Sequence, residues 1–293
     1  MYKKIIEFEP KEFNMSMIQE HMKIIFIGKT FTGKSTLVLD YLYNHQDIPL
    51  MTVVSPTDEF NHTFENHVPS MFIHSEYTPE LIQSIVKRQK NITKKIDNDK
   101  KYTNVDPRNV LILDDCLADD TWKKDPNIKW LFYNGRHVKI TVILTMQFAL
   151  GLPPQLRSNF QWVFLCRDNR ITEQKKMYEN FGSVFPSFEM FRQVHDKCTE
   201  NYGCLVIDLT STSTRLSDSV FWYKVDINSK PDWSDFKLCD EKYWRKNNEI
   251  KNVISKAEEN FKNNNEFALT KQIKYNIKTP NKYDDDIETD CDY

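Results

Sequence analysis

The first core strand and the loop that follows it read Lys23-Ile24-Ile25-Phe26-Ile27-Gly28-Lys29-Thr30-Phe31-Thr32-Gly33-Lys34-Ser35. Residues 23–27 are apolar and rich in β-branched side chains, which is typical of a buried parallel strand. Residues 36–43 then carry apolar side chains at helical spacing. A strand, a loop of the form G-x-x-x-x-G-K-S and a helix, in this order, form the setting in which the pattern binds phosphate. The alternative is a turn with the same letters that binds nothing.

The loop contains the residue types that phosphate binding requires. Gly28 and Gly33 allow the backbone to curl so that its N–H groups point at an anion. The N-terminus of the next helix adds partial positive charge. Lys34 can reach the β- and γ-phosphates, and the Ser35 hydroxyl can ligate Mg²⁺. We therefore predict a site for a nucleotide and Mg²⁺ that consists of Gly28, Lys29, Thr30, Phe31, Thr32, Gly33, Lys34, Ser35 and Thr36.

Two acidic residues follow a later apolar strand, residues 110–113. Asp114, at the carboxyl end of that strand, is suited to hold the Mg²⁺ shell, mostly through water. Asp115 would lie nearer the γ-phosphate and could orient or deprotonate the attacking water. An apolar strand that simply ends in a polar turn would look the same, but its place two or three strands after the loop indicates a Walker B motif. Glu is commoner than Asp at the second position, so the metal role is better founded than the base role.

Three more side chains are candidates for the reaction. Gln147 follows the apolar strand 140–145, and its amide could contact both γ-phosphate and water; the alternative is a polar residue that starts a turn. Arg136 and Arg157 flank the same strand, and either could reach a neighbouring subunit's γ-phosphate. Such an arginine finger contributes about 10³ to 10⁵ in rate. We favour Arg136; the alternative for both is an ordinary surface or carboxylate-paired arginine.

Strand and helix patterns alternate along the chain, which predicts an α/β fold with a mainly parallel central sheet flanked by helices. Helices should start at Pro79 and Asp125, and residues 203–208 and 220–225 should form a closing pair of strands. The remaining strands are expected at 5–8, 49–55, 71–74, 110–113, 140–145 and 162–165. We expect an N-terminal extension at 1–22, a P-loop domain at 23–237 and a polar, partly helical or disordered extension at 238–293.

The chain has 293 residues, 40% of them hydrophobic, which suits one large domain with appendages or two small ones. Its net charge of −2 is unevenly distributed. Residues 87–101 carry seven Lys or Arg against two Asp, whereas residues 284–293 carry six acids and no base. The basic run predicts either a nucleic-acid contact or a solvated helix face. Its helical part contains Lys87, Arg88, Lys90, Lys94 and Lys95.

The six cysteines include no C-x-x-C pair, and the chain shows no signal peptide and no run of 18 apolar residues. We expect a soluble protein of a reducing compartment, with free thiols and no transmembrane segment. His195, Cys198 and Cys204 lie close in sequence, but their spacing matches no paired zinc motif.

Taken together, these motifs resemble those of the virion DNA-packaging ATPases of nucleocytoplasmic large DNA viruses. This poxvirus-type family belongs to the FtsK/HerA group of ring-shaped DNA pumps. The resemblance covers about residues 23–225, and the ordered combination is far more specific than the phosphate-binding loop alone. It rests on Gly28–Ser35, Leu111–Asp115, Asn134-Gly135-Arg136-His137, Thr145-Met146-Gln147 and Leu152-Pro153-Pro154-Gln155-Leu156-Arg157-Ser158-Asn159.

The resemblance implies a RecA-like sheet. In it, the strand ending at Gln147 lies between the Walker A strand, which precedes Gly28, and the Walker B strand, which precedes Asp114. It implies Mg·ATP hydrolysis in a homo-oligomeric ring that drives double-stranded DNA into a capsid, with capsid or inner-membrane virion proteins as partners. The place of action would be the virus factory in the host cytoplasm, or the virion. Two other interpretations stay open: a nucleotide-switched assembly factor with slow hydrolysis, and a P-loop nucleotide kinase.

Overall fold

The computed structural model describes residues 8–116, 121–149 and 151–264. Nine strands form one sheet in this part of the chain. They are β1 (Lys11–Glu12), β2 (Lys23–Ile27), β3 (Leu50–Val54), β4 (Ile73–His74), β5 (Asn109–Asp114), β6 (Ile140–Met146), β7 (Trp162–Leu165), β8 (Cys204–Asp208) and β9 (Val220–Tyr223). The strand expected at 5–8 and the acidic tail at 284–293 lie outside the described residues, except for Phe8.

The strand order is β1-β9-β8-β7-β2-β6-β5-β3-β4. All neighbouring strands pair in parallel except β7 with β8 and β8 with β9. The expectation of a mainly parallel sheet is therefore confirmed, and the closing pair is antiparallel. The strand that precedes Gln147, β6, lies between β2 and β5, as the RecA-like arrangement requires.

Helices cover both faces of the sheet. They are α1 (Lys34–Tyr43), α2 (Asp58–Asn61), α3 (Pro79–Asn98), α4 (Pro126–Asn134), α5 (Pro154–Arg157), α6 (Ile171–Phe181), α7 (Phe188–Cys198) and α8 (Glu241–Asn264). Sequence reasoning did not assign α6 and α7. The start of α7 carries a recognisable signal, because the Ser187 hydroxyl accepts the Met190 N–H. Within the described residues, no helix is both long and apolar enough to span a membrane.

Each core strand sends alternate side chains to opposite faces, which makes two hydrophobic clusters. In β2, Ile25 and Ile27 join the cluster under α3, α4, α6 and α7, whereas Ile24 and Phe26 join the cluster under α1. Every β2 side chain is buried. The strand that leads into the phosphate-binding loop is thus held rigidly from both sides.

The packed part of the chain extends past the expected domain limits of residues 23 and 237. Phe13, Met15 and Ile18 are buried in the α1-side cluster, which places part of the N-terminal extension in the core. At the other end, Leu238 is completely buried and its N–H donates to the His67 carbonyl. Asn247 of α8 is also buried and accepts the Met71 N–H. These buried residues stand among polar neighbours in the sequence, so composition alone did not reveal them.

Candidate active site

Three adjacent strands deliver the candidate site to one edge of the sheet. The loop after β2, the acids after β5 and Gln147 after β6 all follow the carboxyl ends of parallel neighbours. In open α/β sheets, ligands bind at this edge. The structure therefore brings together the residues 28–36, Asp114, Asp115 and Gln147, as their positions in the sequence predict.

In the loop between β2 and α1, Gly28 is closely surrounded by other side chains and Gly33 has a left-handed backbone. Gly33, just before α1, has φ of +92°, in the left-handed region. A Cβ at Gly28 would lie 2.5 Å from the Cβ of Cys166 and 2.6 Å from Oγ1 of Thr32. Both glycines are therefore required by the geometry, one for its conformation and the other for its close approach to Cys166. Burial raises the pKa of the Cys166 thiol to about 11, so this thiol stays protonated under the loop.

Lys34 points back across the loop to the acidic end of β5. Its side chain is only 8% exposed, and its Nζ lies 3.7 Å from Oδ2 of Asp115. The same Nζ donates to the Lys29 carbonyl at 3.4 Å. The ammonium group thus lies over the concave side of the loop, where the β- and γ-phosphates of a nucleotide would lie.

Asp114 is buried and held by two hydroxyl groups. The Ser55 hydroxyl donates to Oδ2 at 2.8 Å and the Thr145 hydroxyl donates to Oδ1 at 2.7 Å. Burial raises the pKa of Asp114, while these two hydrogen bonds act in the opposite direction. Sequence reasoning missed Ser55 and the role of Thr145. The available signal was their place at the carboxyl ends of β3 and β6, on either side of β5 in the sheet.

Asp115 leaves the strand direction by a left-handed backbone turn, with φ of +45°. Its N–H donates to Oγ1 of Thr145 at 3.0 Å, and its Oδ2 accepts the Gln147 amide at 3.4 Å. A left-handed conformation is unfavourable for a residue with a side chain, and it persists where the surroundings impose it. Here it turns the carboxylate away from Asp114 and towards Lys34 and Gln147.

The donor set fits Mg²⁺. Ser35 offers a hydroxyl in the first turn of α1, and Asp114 offers carboxylate oxygens that Ser55 and Thr145 hold in place. Mg²⁺ prefers oxygen ligands and usually keeps several waters with one or two carboxylates. Both oxygens of the buried Asp114 already accept a hydroxyl group, so this carboxylate would hold the ion mostly through water.

The two candidate arginines lie elsewhere. Arg136 is exposed in a 3₁₀ turn, Gly135–Val138, that leads into the amino end of β6. Arg136 lies near Lys23, at the start of β2, and burial together with the positive charge of Arg136 lowers the Lys23 pKa to about 8. This is the edge of the sheet opposite the phosphate-binding loop. Arg157 is half-buried and donates to Asn180 within its own chain.

His195, Cys198 and Cys204 are all buried. Cys198 packs in the cluster under α3, α4, α6 and α7, whereas Cys204 packs in the cluster under α1. The His195 Nε2 lies 3.1 Å from the Cys166 carbonyl oxygen, which links α7 to the segment after β7. Among the described residues, no three His, Cys, Asp or Glu side chains cluster as metal ligands would. The described cysteines 116, 166, 198, 204 and 239 are free thiols.

Comparison with known protein families gives a match that spans the site. The family model of the poxvirus A32 protein matches residues 10–193, which include the phosphate-binding loop, both acids and Gln147. The chain belongs to the poxvirus A32 family. This confirms the resemblance drawn from the motifs, and the chain is a P-loop NTPase of this family.

Other viral proteins are similar to this A32-family chain over most of its length. It is 37% identical over 241 residues to protein L437 of Acanthamoeba polyphaga mimivirus, which covers 81% of this chain and 85% of that protein. It is also 37% identical over 219 residues to protein 075L of Invertebrate iridescent virus 6, covering 73% and 79%.

Among solved structures, the A32-family chain is similar to the genome packaging NTPase B204 from Sulfolobus turreted icosahedral virus 2 in complex with ATP-gammaS. The TM-score is 0.48 at 18% identity, over 71% of this chain and 98% of that chain. It is also similar to EssC (ATPases 2 and 3) from Geobacillus thermodenitrificans, with a TM-score of 0.47 at 12% identity, over 80% and 45%.

Proposed function

We propose that this chain is an ATP-driven motor that moves double-stranded viral DNA into the capsid during virion assembly. The observation that carries the proposal is the meeting of Lys34, Asp115 and Gln147 beside the phosphate-binding loop. The arrangement offers a cation for the γ-phosphate together with a carboxylate and an amide for a water molecule, which suits hydrolysis. Membership of the poxvirus A32 family supports genome packaging as the process that uses the energy.

Each part of the site has one task in this proposal. The loop N–H groups and Lys34 bind the phosphates, and Ser35 and Asp114 would hold Mg²⁺, which would offset phosphate charge. Asp115 orients the attacking water and accepts its proton, and Gln147 orients the same water. A γ-phosphate that draws Lys34 away from Asp115 leaves this carboxylate free to act.

The motor is proposed to work as a homo-oligomeric ring around the DNA, in the virus factory of the host cytoplasm or in the virion. The position of Arg136 supports a ring, since this exposed side chain lies at the sheet edge away from its own loop. The proposed target of Arg136 is the γ-phosphate of a nucleotide bound to a neighbouring subunit. Capsid or inner-membrane virion proteins are the proposed docking partners.

The test is the ATPase rate of the purified protein with and without double-stranded DNA. We expect phosphate release without an added acceptor and a higher rate with DNA. The Lys34→Ala variant should lose hydrolysis but keep its melting temperature, because the loop is held by backbone geometry. A rate that DNA does not change would favour the nucleotide-switched assembly factor. Phosphate transferred only to an added acceptor would favour the kinase.

A further inference from the structure

An exposed aromatic ring, Tyr202, lies beside the phosphate-binding loop. A Cβ placed on Gly33 would lie 4.0 Å from Cδ1 of Tyr202. Tyr202 comes just before β8, whose first residues pair with the carboxyl end of β7, so it lies at the same sheet edge as the loop. Tyr202 as a whole is 72% exposed. A large ring at the rim of a phosphate site is available to a bound nucleotide.

The backbone holds this ring in an unfavourable conformation. Asn201 and Tyr202 have φ of +50° and +65°, both in the left-handed region. Two such residues in a row are uncommon without glycine, and backbone strain of this kind is concentrated at functional sites. The turn also requires glycine at the next position, Gly203, because a Cβ there would lie 2.3 Å from the Cys198 carbonyl oxygen.

The turn is tied to the loop through α7. Besides the contact between His195 and the Cys166 carbonyl, Arg167 donates to the Asp196 carbonyl at 3.0 Å. Cys166 in turn donates its N–H to the Ile27 carbonyl, at the start of the phosphate-binding loop. These bonds connect the end of α7 to the segment under Gly28. The position of Tyr202 relative to Gly33 is thereby set by buried contacts and not by the exposed ring itself.

We propose that the Tyr202 ring stacks on the base of the bound nucleotide; this rests on the proposed ATPase function. The loop and Lys34 bind phosphate groups, which all nucleoside triphosphates share, so they supply no contact for a base. A flat, exposed ring next to Gly33 supplies that contact, and stacking needs only the π-face that every base has. Tyr202 is thus a binding residue for the nucleoside part and leaves the triphosphate contacts to the loop.

The experiment compares two ligands by calorimetry: a slowly hydrolysed ATP analogue and inorganic tripolyphosphate, which has no base. In Tyr202→Ala, affinity for the ATP analogue should fall about tenfold, within the range for removal of a base–aromatic stack. Affinity for tripolyphosphate should not change. Tyr202→Phe keeps the ring and should bind both ligands like the wild type. Tyr133→Ala, which removes a half-exposed tyrosine from α4, is the matched control.

Three outcomes would overturn the inference. Unchanged affinity of Tyr202→Ala for the ATP analogue would leave the ring as a contact for another partner. An equal decrease for both ligands would mean that Tyr202 shapes the loop and does not touch the base. Wild-type protein that binds neither ligand would instead contradict the proposed function, and the stacking role with it. Circular dichroism of each variant checks that the fold is retained.

Discussion

The two glycines of the phosphate-binding loop respond to different constraints, and alanine substitutions separate them. A methyl group at Gly28 would collide with Cys166 and Thr32, whereas the nearest atom to one at Gly33 is 4.0 Å away. Gly28→Ala should therefore displace the loop and lower nucleotide affinity about tenfold, since such overpacking costs about 1–3 kcal/mol. Gly33→Ala should show only the cost of the left-handed backbone, about 1–2 kcal/mol.

Calorimetric titration with the ATP analogue and thermal melting measure both effects. The double variant Gly28→Ala/Cys166→Gly removes one of the two collisions and should recover part of the affinity. Equal affinities of Gly28→Ala and the wild type would show that the loop relaxes at no cost to binding.

The role of Asp115, the second acid after β5, can also be tested by substitution. Asp115→Asn keeps the size of the side chain but removes the proton acceptor beside Gln147 and Lys34. Nucleotide should still bind, while hydrolysis falls by about 10²–10⁴, the usual contribution of a general base. Single-turnover kinetics with ATP measures the chemical step. The same substitution at Asp97, an exposed residue of α3, is the control, and hydrolysis at the wild-type rate in Asp115→Asn would require another base.

At the scale of elements, the buried His195 connects α7 to the segment after β7 through its contact with the Cys166 carbonyl. Burial lowers the pKa of His195, so below about pH 6.5 the unfolded chain binds a proton that the folded chain does not. The free energy of unfolding should then decrease as the pH falls, by up to about 1.4 kcal/mol per pH unit for this group. His195→Gln should remove this contribution and reduce the slope below about pH 6.5.

Urea denaturation at a series of pH values measures the slope. His137→Gln, at an exposed position, is the control and should retain the wild-type dependence. Burial also lowers the pKa of His21, His67 and His74, so a part of the acid destabilisation should remain in every variant. An unchanged slope in His195→Gln would show that the site near Cys166 accepts a protonated histidine.

The second prediction at this scale is that the basic face of α3 binds DNA phosphates. Lys90 lies 3.9 Å from the centre of the Trp130 ring, and Lys95 lies 5.3 Å from that of Tyr102. These two cations contact rings within the chain. Lys87 and Lys94 are exposed, and we choose them for substitution because the structure gives them no such ring contact among the described residues. Lys87→Gln/Lys94→Gln should lower DNA affinity for any sequence alike. The salt dependence should flatten by about 0.9 log unit for each phosphate that the variant no longer neutralises.

Fluorescence anisotropy at several salt concentrations measures this slope. Lys175→Gln on α6 is the control for removal of a single charge. If the slope of the double variant equals that of the wild type, α3 is a solvated face. The DNA path would then be sought near Lys123 and Lys124, after the Walker B strand.

At the scale of the whole molecule, the sheet separates Arg136 from its own nucleotide site. β6 runs for seven residues between them, a length of about 20 Å. Arg136→Ala should be inactive alone but should regain activity when mixed with Lys34→Ala. Such mixtures contain interfaces where an intact loop faces an intact Arg136. ATPase rates of the mixtures measure the recovery, and no recovery in assemblies shown to contain both variants would assign Arg136 a structural role.

Local patterns in the sequence determined the elements of the site. The β-branched run before Gly28, the glycine spacing and the acids after a buried strand each depend on neighbours within a few residues. Strand β7 has the bounds expected from its apolar run, Trp162–Leu165. The parallel arrangement followed from the alternation of strands and helices, and the resemblance placed β6 between β2 and β5.

Tertiary structure alone decided what surrounds these elements. The hydroxyls on Asp114 come from residues 59 and 31 positions away, and His195 lies 29 positions from Cys166. Such contacts depend on how strands are ordered in the sheet. The hydrophobic periodicity of the sequence contains no information on that order. The same holds for Tyr202, whose place beside Gly33 follows from the antiparallel return of β8 and from buried bonds at the end of α7. The sequence therefore determined the strand, loop and helix of the candidate phosphate site, and packing between residues far apart in the sequence decided which side chains support and border it.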